Sequence, residues 1–197
     1  MDLQNGPVIP KLGGLSAASV SCATIKEEEL RDQSIMLFLT GPTAAGKNTT
    51  AQLIAKRQNR CAVVDFDLVR SMFVQPHCPP WAGEEGISQH RLGARLISQV
   101  ALGFHEAGWK VIVLDVITND AYPYYQEALR SVPVTIVQLL PSLEETTRRF
   151  YARGAVLTHE EFLWVYETQV QFRHATQRID TTVLSPEVVA AQLENFL

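Results

Sequence analysis

The stretch GPTAAGKNTT, residues 41–50, has the residue types and the spacing of a loop that binds phosphate groups. Gly41 and Gly46 let consecutive backbone N–H groups converge on phosphate oxygens, and Lys47 brings a positive charge to the β and γ phosphates. An ordinary glycine-containing turn between a strand and a helix is the alternative interpretation. The residues predicted to bind the phosphates of ATP are Gly41, Thr43, Ala44, Ala45, Gly46, Lys47, Asn48 and Thr49.

Asn48 occupies the position at which a serine or threonine hydroxyl ordinarily contacts Mg²⁺ in such loops. Its amide oxygen can bind the metal directly or through water, and its NH₂ group can instead donate to a phosphate. Mg²⁺ in nucleotide sites keeps several waters and takes further oxygens from the phosphates, so one protein ligand is replaceable. We therefore expect weakened Mg²⁺ binding and not a lost site.

Two aspartates, Asp65 and Asp67, alternate in DFDLVR at the end of an apolar run. Ligands of open α/β sheets bind beyond the carboxyl ends of the strands, so both carboxylates are expected in the crevice of the phosphate loop. We predict that Asp65 supports hydrated Mg²⁺ and that Asp67 accepts the proton of an attacking hydroxyl. One of the two could instead cap the following helix. Arg70 could anchor an anionic group of the acceptor or pair with Asp67.

Asp115 ends the apolar run KVIVLD, where an unpartnered carboxylate is costly to bury. It is therefore expected to reach the site, where it could bind Mg²⁺ through water or hold the acceptor. A structural aspartate with satisfied hydrogen bonds is the alternative.

The segment RRFYARG, residues 148–154, has the character of a lid. Arg149 and Arg153 are four residues apart and share a helix face, and Gly154 can end that helix. Arginines at such a position can neutralise the charge of a transferred phosphoryl group and help to exclude water. A solvated basic helix end is the alternative interpretation.

The region from residue 71 to residue 96 is predicted to build the pocket for the acceptor. It contains Phe73, His77, Trp81 and His90, and aromatic walls with a few polar anchors suit an organic alcohol. Arg91 and Arg95 are four apart on one helix face and could hold a carboxylate or phosphate. The aromatic residues could equally belong to the core, and the two arginines to a solvated face.

Short apolar runs alternate with helical periodicity from Ile35 onward, which is typical of βα units around a mostly parallel sheet. Five strands are predicted, at residues 35–40, 61–66, 110–117, 134–140 and 181–184. A long helix lies between the second and third strands, with an apolar face formed by Leu92, Leu96, Val100 and Phe104 and with an end at Gly108. Three further helix starts are indicated by Ser142 with Glu145, by Thr158 with Glu161, and by Ser185 with Pro186.

Composition points to one globular domain and a small ligand. The 197 residues are 46% hydrophobic and carry a net charge of −4, which argues against a partner bound mainly through nucleic-acid phosphates. Three irregularly spaced cysteines suggest neither a disulfide framework nor a zinc site, so a reducing cytoplasm is expected. Apolar runs are too short to span a bilayer. Residues 1–34 are predicted to form a flexible tail, with a short helix near residues 25–31.

From about residue 35 to its end, the sequence resembles the small P-loop kinases, such as shikimate and gluconate kinases, and especially the chloramphenicol phosphotransferase-like group. The resemblance is carried by GPTAAGK, the step from Asp67 to Arg70, GWKVIVLDV, RRFYARG and the ending IDTTVLSPEVVAAQL. Asn48 departs from the usual pattern of these loops.

The resemblance implies a P-loop NTPase three-layer α/β sandwich for residues 35–197, with a parallel sheet of order 2-3-1-4-5 and a helical lid at about 149–178. It makes Asp67 the best match to the catalytic carboxylate and places Arg149 or Arg153 in lid positions. It also implies that Asp180, Thr181 and Thr182 border the adenine of ATP.

The expected function is transfer of the γ-phosphate of ATP, with Mg²⁺, to a hydroxyl of a small metabolite, sugar or antibiotic. Lys47, Asp67, Arg149 and Arg153 are the predicted catalytic residues. Two alternatives remain at this point: a kinase of nucleotides or nucleic-acid ends, and a nucleotide-binding regulator impaired by Asn48.

Overall fold

The structure is a computed structural model that describes residues 35–197. The predicted tail at residues 1–34, with its short helix, lies outside the described residues. Five strands form one sheet in the order β2-β3-β1-β4-β5, and every neighbouring pair is parallel. The strands are β1 (Met36–Thr40), β2 (Cys61–Asp65), β3 (Lys110–Asp115), β4 (Val134–Leu139) and β5 (Gln177–Ile179). The predicted fold class and strand order are confirmed.

Helices connect consecutive strands, as right-handed βα crossovers require. They are α1 (Lys47–Ala55), α2 (Phe66–Arg70), α3 (Gly83–Glu106), α4 (Tyr122–Ala128), α5 (Leu143–Ala152), α6 (His159–Val170) and α7 (Pro186–Leu193), followed by a 3₁₀ turn at Glu194–Phe196. No helix within residues 35–197 has the length and apolar character needed to cross a bilayer.

The predicted helix starts are confirmed by the hydrogen bonds of their first residues. The side chains of Ser142, Thr158 and Ser185 each accept a bond from a backbone N–H three residues later. At Thr158 the Glu161 side chain returns a bond to the backbone, which completes a capping box.

The sheet is buried on both faces, because successive strand residues point to opposite sides. Met36 and Phe38 of β1 pack with α3 and α4, whereas Leu37 and Leu39 pack with α1 and α7. This two-sided burial explains why the central strands read as continuous apolar runs. Because β1, β2 and β3 are parallel, their carboxyl ends lie together at one end of the sheet.

One prediction about the elements is wrong. The fifth strand is Gln177–Ile179, and the predicted strand at residues 181–184 is irregular chain. The predicted long helix is found, and its apolar face is 39–46% exposed at Leu92, Leu96, Val100 and Phe104. Its buried face is made instead by smaller residues such as Gly93, Ala94 and Ala101 with Ile97. A side chain at Gly93 would meet the Phe66 ring at 2.7 Å, so close approach selects small residues there.

Candidate active site

The phosphate loop joins β1 to α1 and needs glycine at its two ends. A Cβ atom at Gly41 would lie 2.2 Å from the carbonyl oxygen of Leu139, and the residue has a φ of 149°. Gly46 has a φ of 99°, in the left-handed range, at the N-cap of α1. Ala44 also has a positive φ, of 68°. The loop backbone is therefore held in a turn that points the start of α1 toward a ligand.

Lys47 is folded back onto this loop. Its Nζ donates to the carbonyl oxygens of Gly41, at 2.7 Å, and Pro42, at 3.1 Å. Burial lowers the pKa of Lys47 to about 8, although the charges of Asp115, Asp67 and Asp65 partly oppose the shift. A nucleotide phosphate would replace the two carbonyl contacts with a charge-assisted one.

Asp65 uses both carboxylate oxygens within the chain. Oδ1 accepts the backbone N–H of Asp67 at 3.1 Å and so caps α2. Oδ2 accepts a bond from Nδ2 of Asn48 at 2.8 Å. The capping alternative thus applies to Asp65, and the Asn48 amide nitrogen binds this carboxylate.

Asp67 has the surroundings of a proton acceptor. Its carboxylate accepts no hydrogen bond from any residue in the described range 35–197. Desolvation by the cleft walls, followed by the charge of Asp65, raises the pKa of Asp67. A carboxylate with free lone pairs and a raised pKa is suited to taking a proton from a bound hydroxyl.

Arg70 lies one helical turn after Asp67 and is only partly satisfied. Nη2 of Arg70 lies 3.4 Å from Nε2 of His77, while the buried Nε atom of Arg70 has no partner. No ion pair joins Arg70 to Asp67 in the part of the chain that the structure describes. A buried guanidinium N–H without a partner favours the role of an anchor for an acceptor anion.

Asp115 is buried and held from two sides. Its Oδ1 accepts the Val116 backbone N–H at 2.7 Å, and its Oδ2 accepts the Tyr125 hydroxyl at 2.6 Å. Nε2 of His90 lies 3.6 Å from the same Oδ2. Burial and the nearby Asp115 charge raise the pKa of Tyr125 well above its usual value, so the phenol stays a donor. Tyr125 was not predicted, because no motif links a tyrosine on α4 to a carboxylate ten residues earlier.

A single cavity of about 390 Å³ collects most of the predicted site. Its lining includes Asp65, Asp67, Arg70, Asp115 and Arg153 together with residues 43–49 of the phosphate loop. His90, Thr118, Trp81 and Trp164 are also among the lining residues. Residues from seven separate segments therefore meet at the carboxyl ends of the strands, as the strand topology requires.

Arg91 and Arg95 do not line this cavity. Arg91 binds Asp120 through two of its nitrogens, and Arg95 lies over the ring of Tyr124 at 4.8 Å from its centroid. Both arginines face α4 on the outer surface, which agrees with the alternative of a solvated face. Their position gives no support to the predicted acceptor contact.

The two lid arginines, Arg149 and Arg153, have different surroundings. Arg153 lines the cavity, at the C-cap of α5. Arg149 instead donates through Nη2 to the carbonyl oxygens of Thr181, at 2.9 Å, and Thr182, at 3.2 Å, and through Nε to Glu145 at 2.6 Å. It holds the loop after β5, so only Arg153 faces the phosphate loop.

The loop predicted to border adenine is internally ordered. The Oδ1 atom of Asp180 accepts bonds from both the backbone N–H and the hydroxyl of Thr182, which in turn accepts from the Ser142 backbone N–H. The buried Thr181 hydroxyl has no partner. These residues lie outside the cavity lining, beside α5, and their contact with the base stays a prediction.

The base of the lid is fixed by the fully buried Gln169 of α6. Its Oε1 accepts from the Thr40 hydroxyl at 3.1 Å and its Nε2 donates to the Ile117 carbonyl at 2.8 Å. Gln138 of β4 donates to Gln169 as well, and Arg178 bonds to Gln138. Thr40 directly precedes Gly41, and Ile117 lies two residues after Asp115. This network therefore connects the lid to the phosphate loop and to the carboxyl end of β3, where Asp115 lies.

Asp65 and Asp115 can hold Mg²⁺ only together with the phosphates of a bound nucleotide. Within the described residues, no three His, Cys, Asp or Glu side chains are grouped closely enough to hold a metal. Asp65 and Asp115 retain lone pairs beside their hydrogen bonds, and oxygen donors of this type suit Mg²⁺ with its waters. Both therefore fit a hydrated Mg²⁺ whose remaining ligands come from phosphates.

Comparison with known proteins shows the fold. No protein-family model and no curated protein matches the sequence. The APS kinase of Mycobacterium tuberculosis, solved with AMPPNP and APS, superposes with a TM-score of 0.66 at 17% identity over 83% of this chain and 96% of that one. The tunicamycin resistance protein of Deinococcus radiodurans gives 0.63 at 20% identity over 83% and 95%. Shikimate kinase of Acinetobacter baumannii, solved with shikimate, gives 0.57 at 18% identity over 85% and 94%.

Proposed function

We propose that this chain, which has the fold of the small P-loop kinases, transfers the γ-phosphate of ATP to a hydroxyl of a small molecule. The observation that carries the proposal is the placement of Asp67. Its unbonded carboxylate lines the same cavity as the phosphate loop and Lys47. A base beside a phosphate site is the arrangement that phosphoryl transfer to an alcohol needs.

Asp67 accepts the proton as the acceptor oxygen bonds to the γ-phosphorus. The bond between that phosphorus and the β–γ bridging oxygen breaks, and ADP leaves with the bridging oxygen. The raised pKa of Asp67 brings its basicity closer to that of a useful proton acceptor. The proton can pass to solvent after the phosphorylated product leaves.

Lys47 and Arg153 line the cavity and stabilise negative charge on the transferred group. Protonated Lys47 exchanges its contacts with Gly41 and Pro42 for phosphate oxygens. Arg153 stands at the end of α5, where the chain turns into the lid, so lid closure would bring it to the γ-phosphate. Bound Mg²⁺ would supply further charge neutralisation, with Asp65 and Asp115 as its supporting carboxylates.

The nucleotide base is assigned to the loop after β5. Arg149 holds the carbonyl oxygens of Thr181 and Thr182 in place, and the unpartnered Thr181 hydroxyl is a hydrogen-bonding group that a ligand could use. Arg149 thus acts on the nucleotide as a positioning residue, through this loop.

Arg70 is assigned to the acceptor. Arg70 lines the cavity one turn from Asp67, and its buried Nε has no hydrogen-bond partner. An anionic or carbonyl group of the acceptor would satisfy that N–H and fix the reacting hydroxyl near the base.

The test is transfer of label from [γ-³²P]ATP, with Mg²⁺, to a panel of sugars, nucleosides, amino alcohols and antibiotics that carry hydroxyl groups. We expect labelling of one acceptor class by the wild type and none by Lys47→Ala. ATP binding without transfer to any acceptor would favour the impaired regulator. Labelling confined to nucleotides or oligonucleotide ends would favour the second kinase class.

A further inference from the structure

An apolar wall forms one part of the cavity that contains Asp67. It comprises Pro80, Trp81, Val156, Leu157, Trp164 and Val165. These residues come from the segment before α3, from the loop between α5 and α6, and from α6 itself. Asp67 and Arg70 come from α2, so this wall and these two polar residues belong to different elements.

The two tryptophans make this wall a specific feature. Their ring centroids lie 5.3 Å apart with an angle of 57° between the planes, and both rings are half-buried. Trp81 donates its indole N–H to Oε1 of Glu161 at 3.2 Å. Because that donor is already satisfied, Trp81 offers apolar ring surface to a ligand in the cavity.

The lid loop adds apolar surface that this structure leaves uncovered. Val156 lines the cavity and yet is 78% exposed. Its neighbour Leu157 and the buried Val165 continue the same wall. A ligand with apolar surface would remove Val156 from water together with the exposed parts of Leu157 and the tryptophan rings, and that burial favours binding.

We infer that the acceptor is an amphipathic alcohol, in which the reacting hydroxyl is attached to an aromatic or alicyclic body. This inference rests on the proposed function for the identity of the reacting group. Asp67 and Arg70 bind the polar end, and the wall of Trp81 and Trp164 binds the body. Small polyols, which lack such a body, are expected to bind weakly, because an added apolar group in a hydrophobic pocket changes discrimination by about 10- to 200-fold.

The test uses matched alcohols that differ only in the body: phenyl against methyl β-D-glucopyranoside, and N-benzoyl against N-acetyl ethanolamine. The third tryptophan, Trp109, lies outside the cavity against Phe104 and Arg60. In a Trp109→Phe background the fluorescence therefore reports only Trp81 and Trp164. Dissociation constants are measured by quenching in the presence of AMPPNP and Mg²⁺.

We expect the aryl member of at least one pair to bind more than about tenfold tighter than its partner. Trp164→Ala should remove this preference while AMPPNP affinity, measured by calorimetry, shows that the protein is folded. Equal affinity within both pairs, a preference that survives in Trp164→Ala and Trp81→Ala, or binding by no member would overturn the inference. Preferential aryl binding without phosphate transfer to any acceptor would contradict the proposed function, and of this inference it would support only the binding of an apolar body by the tryptophan wall.

Discussion

The amide nitrogen of Asn48 donates a hydrogen bond to the Asp65 carboxylate over 2.8 Å. This contact connects the phosphate loop to the end of β2, across 17 residues of sequence. It uses the Asn48 group that could otherwise bind a phosphate, and it occupies one oxygen of a proposed Mg²⁺ partner. Asn48, the residue that departs from the usual loop sequence, is thus hydrogen-bonded to a carboxylate proposed to support Mg²⁺.

Replacing Asn48 with serine should lower the Mg²⁺ concentration that phosphate transfer requires. The change frees Oδ2 of Asp65 and introduces the hydroxyl that such loops ordinarily present to the metal. We expect the Mg²⁺ concentration for half-maximal phosphate transfer to fall by roughly tenfold. Titration at fixed ATP measures it, with Asn48→Ala as the control that frees Asp65 without adding a hydroxyl. An unchanged or higher requirement in Asn48→Ser would show that Asn48 does not weaken metal binding.

Asp65→Asn should move the acidic limb of the pH profile. The charge of Asp65 helps to raise the pKa of Asp67, so its removal lowers the pKa of Asp67. Asn still caps α2 well, which keeps the helix in place. Because the base must be ionised, kcat/KM should stay high to a lower pH in Asp65→Asn than in the wild type. A limb that stays in place, or moves to higher pH, would mean that Asp67 is not the titrating base.

ATP affinity should depend on pH through Lys47. Burial lowers the pKa of Lys47 to about 8, and bound phosphates raise it again because they favour the charged amine. Below pH about 8 the lysine is charged before and after binding, so affinity is constant. Above that pH binding must take up a proton, and affinity should fall by up to about tenfold per pH unit. Calorimetry across this range measures it, and Lys47→Arg, which stays charged, should lose the pH dependence. Constant wild-type affinity up to about pH 10 would contradict the assignment.

Gln169→Leu should destabilise the protein and weaken nucleotide use together. The change removes the acceptor of the Thr40 hydroxyl and the donor to the Ile117 carbonyl, and each buried group left unsatisfied costs about 1–3 kcal/mol. We expect a lower free energy of unfolding in urea and a raised KM for ATP, since Thr40 precedes the phosphate loop. Gln171→Leu, at an exposed position two residues later, is the matched control and should change neither quantity. If the KM for ATP in Gln169→Leu equals that of the wild type, the Gln169 network contributes to stability and not to nucleotide binding.

Local patterns predicted the elements that have local causes. The phosphate loop, the three capped helix starts and four of the five strands depend on spacing within a few residues, and all were found. The exception, β5, is a three-residue edge strand whose Arg178 bonds to Gln138 on the neighbouring strand. The β-branched run after it, at residues 181–184, has the composition of a strand but no partner strand to pair with among the described residues.

Side-chain contacts between elements that are distant in the chain could not be predicted from the sequence. Nothing in the spacing indicates that Trp81 and Trp164 meet, or that the Tyr125 hydroxyl binds Asp115. Arg149 and Arg153 were predicted to act alike because they share a helix face. The helix ends between them, so Arg153 reaches the cavity while Arg149 binds the loop after β5. Likewise, the sequence did not indicate that the apolar stripe of α3 is partly exposed, because pattern alone does not show where glycine permits close packing.

The central claim is that Asp67 is the base of a phosphate transfer from ATP. The most direct measurement compares wild type and Asp67→Asn, at saturating ATP and Mg²⁺, with the best acceptor found by radiolabel transfer. An amide can hydrogen-bond the acceptor hydroxyl but cannot take its proton, so we predict unchanged ATP affinity and a kcat lower by about 10²- to 10⁴-fold. A near-normal kcat in Asp67→Asn together with an inactive Asp65→Asn would contradict the account and reverse the roles of the two aspartates.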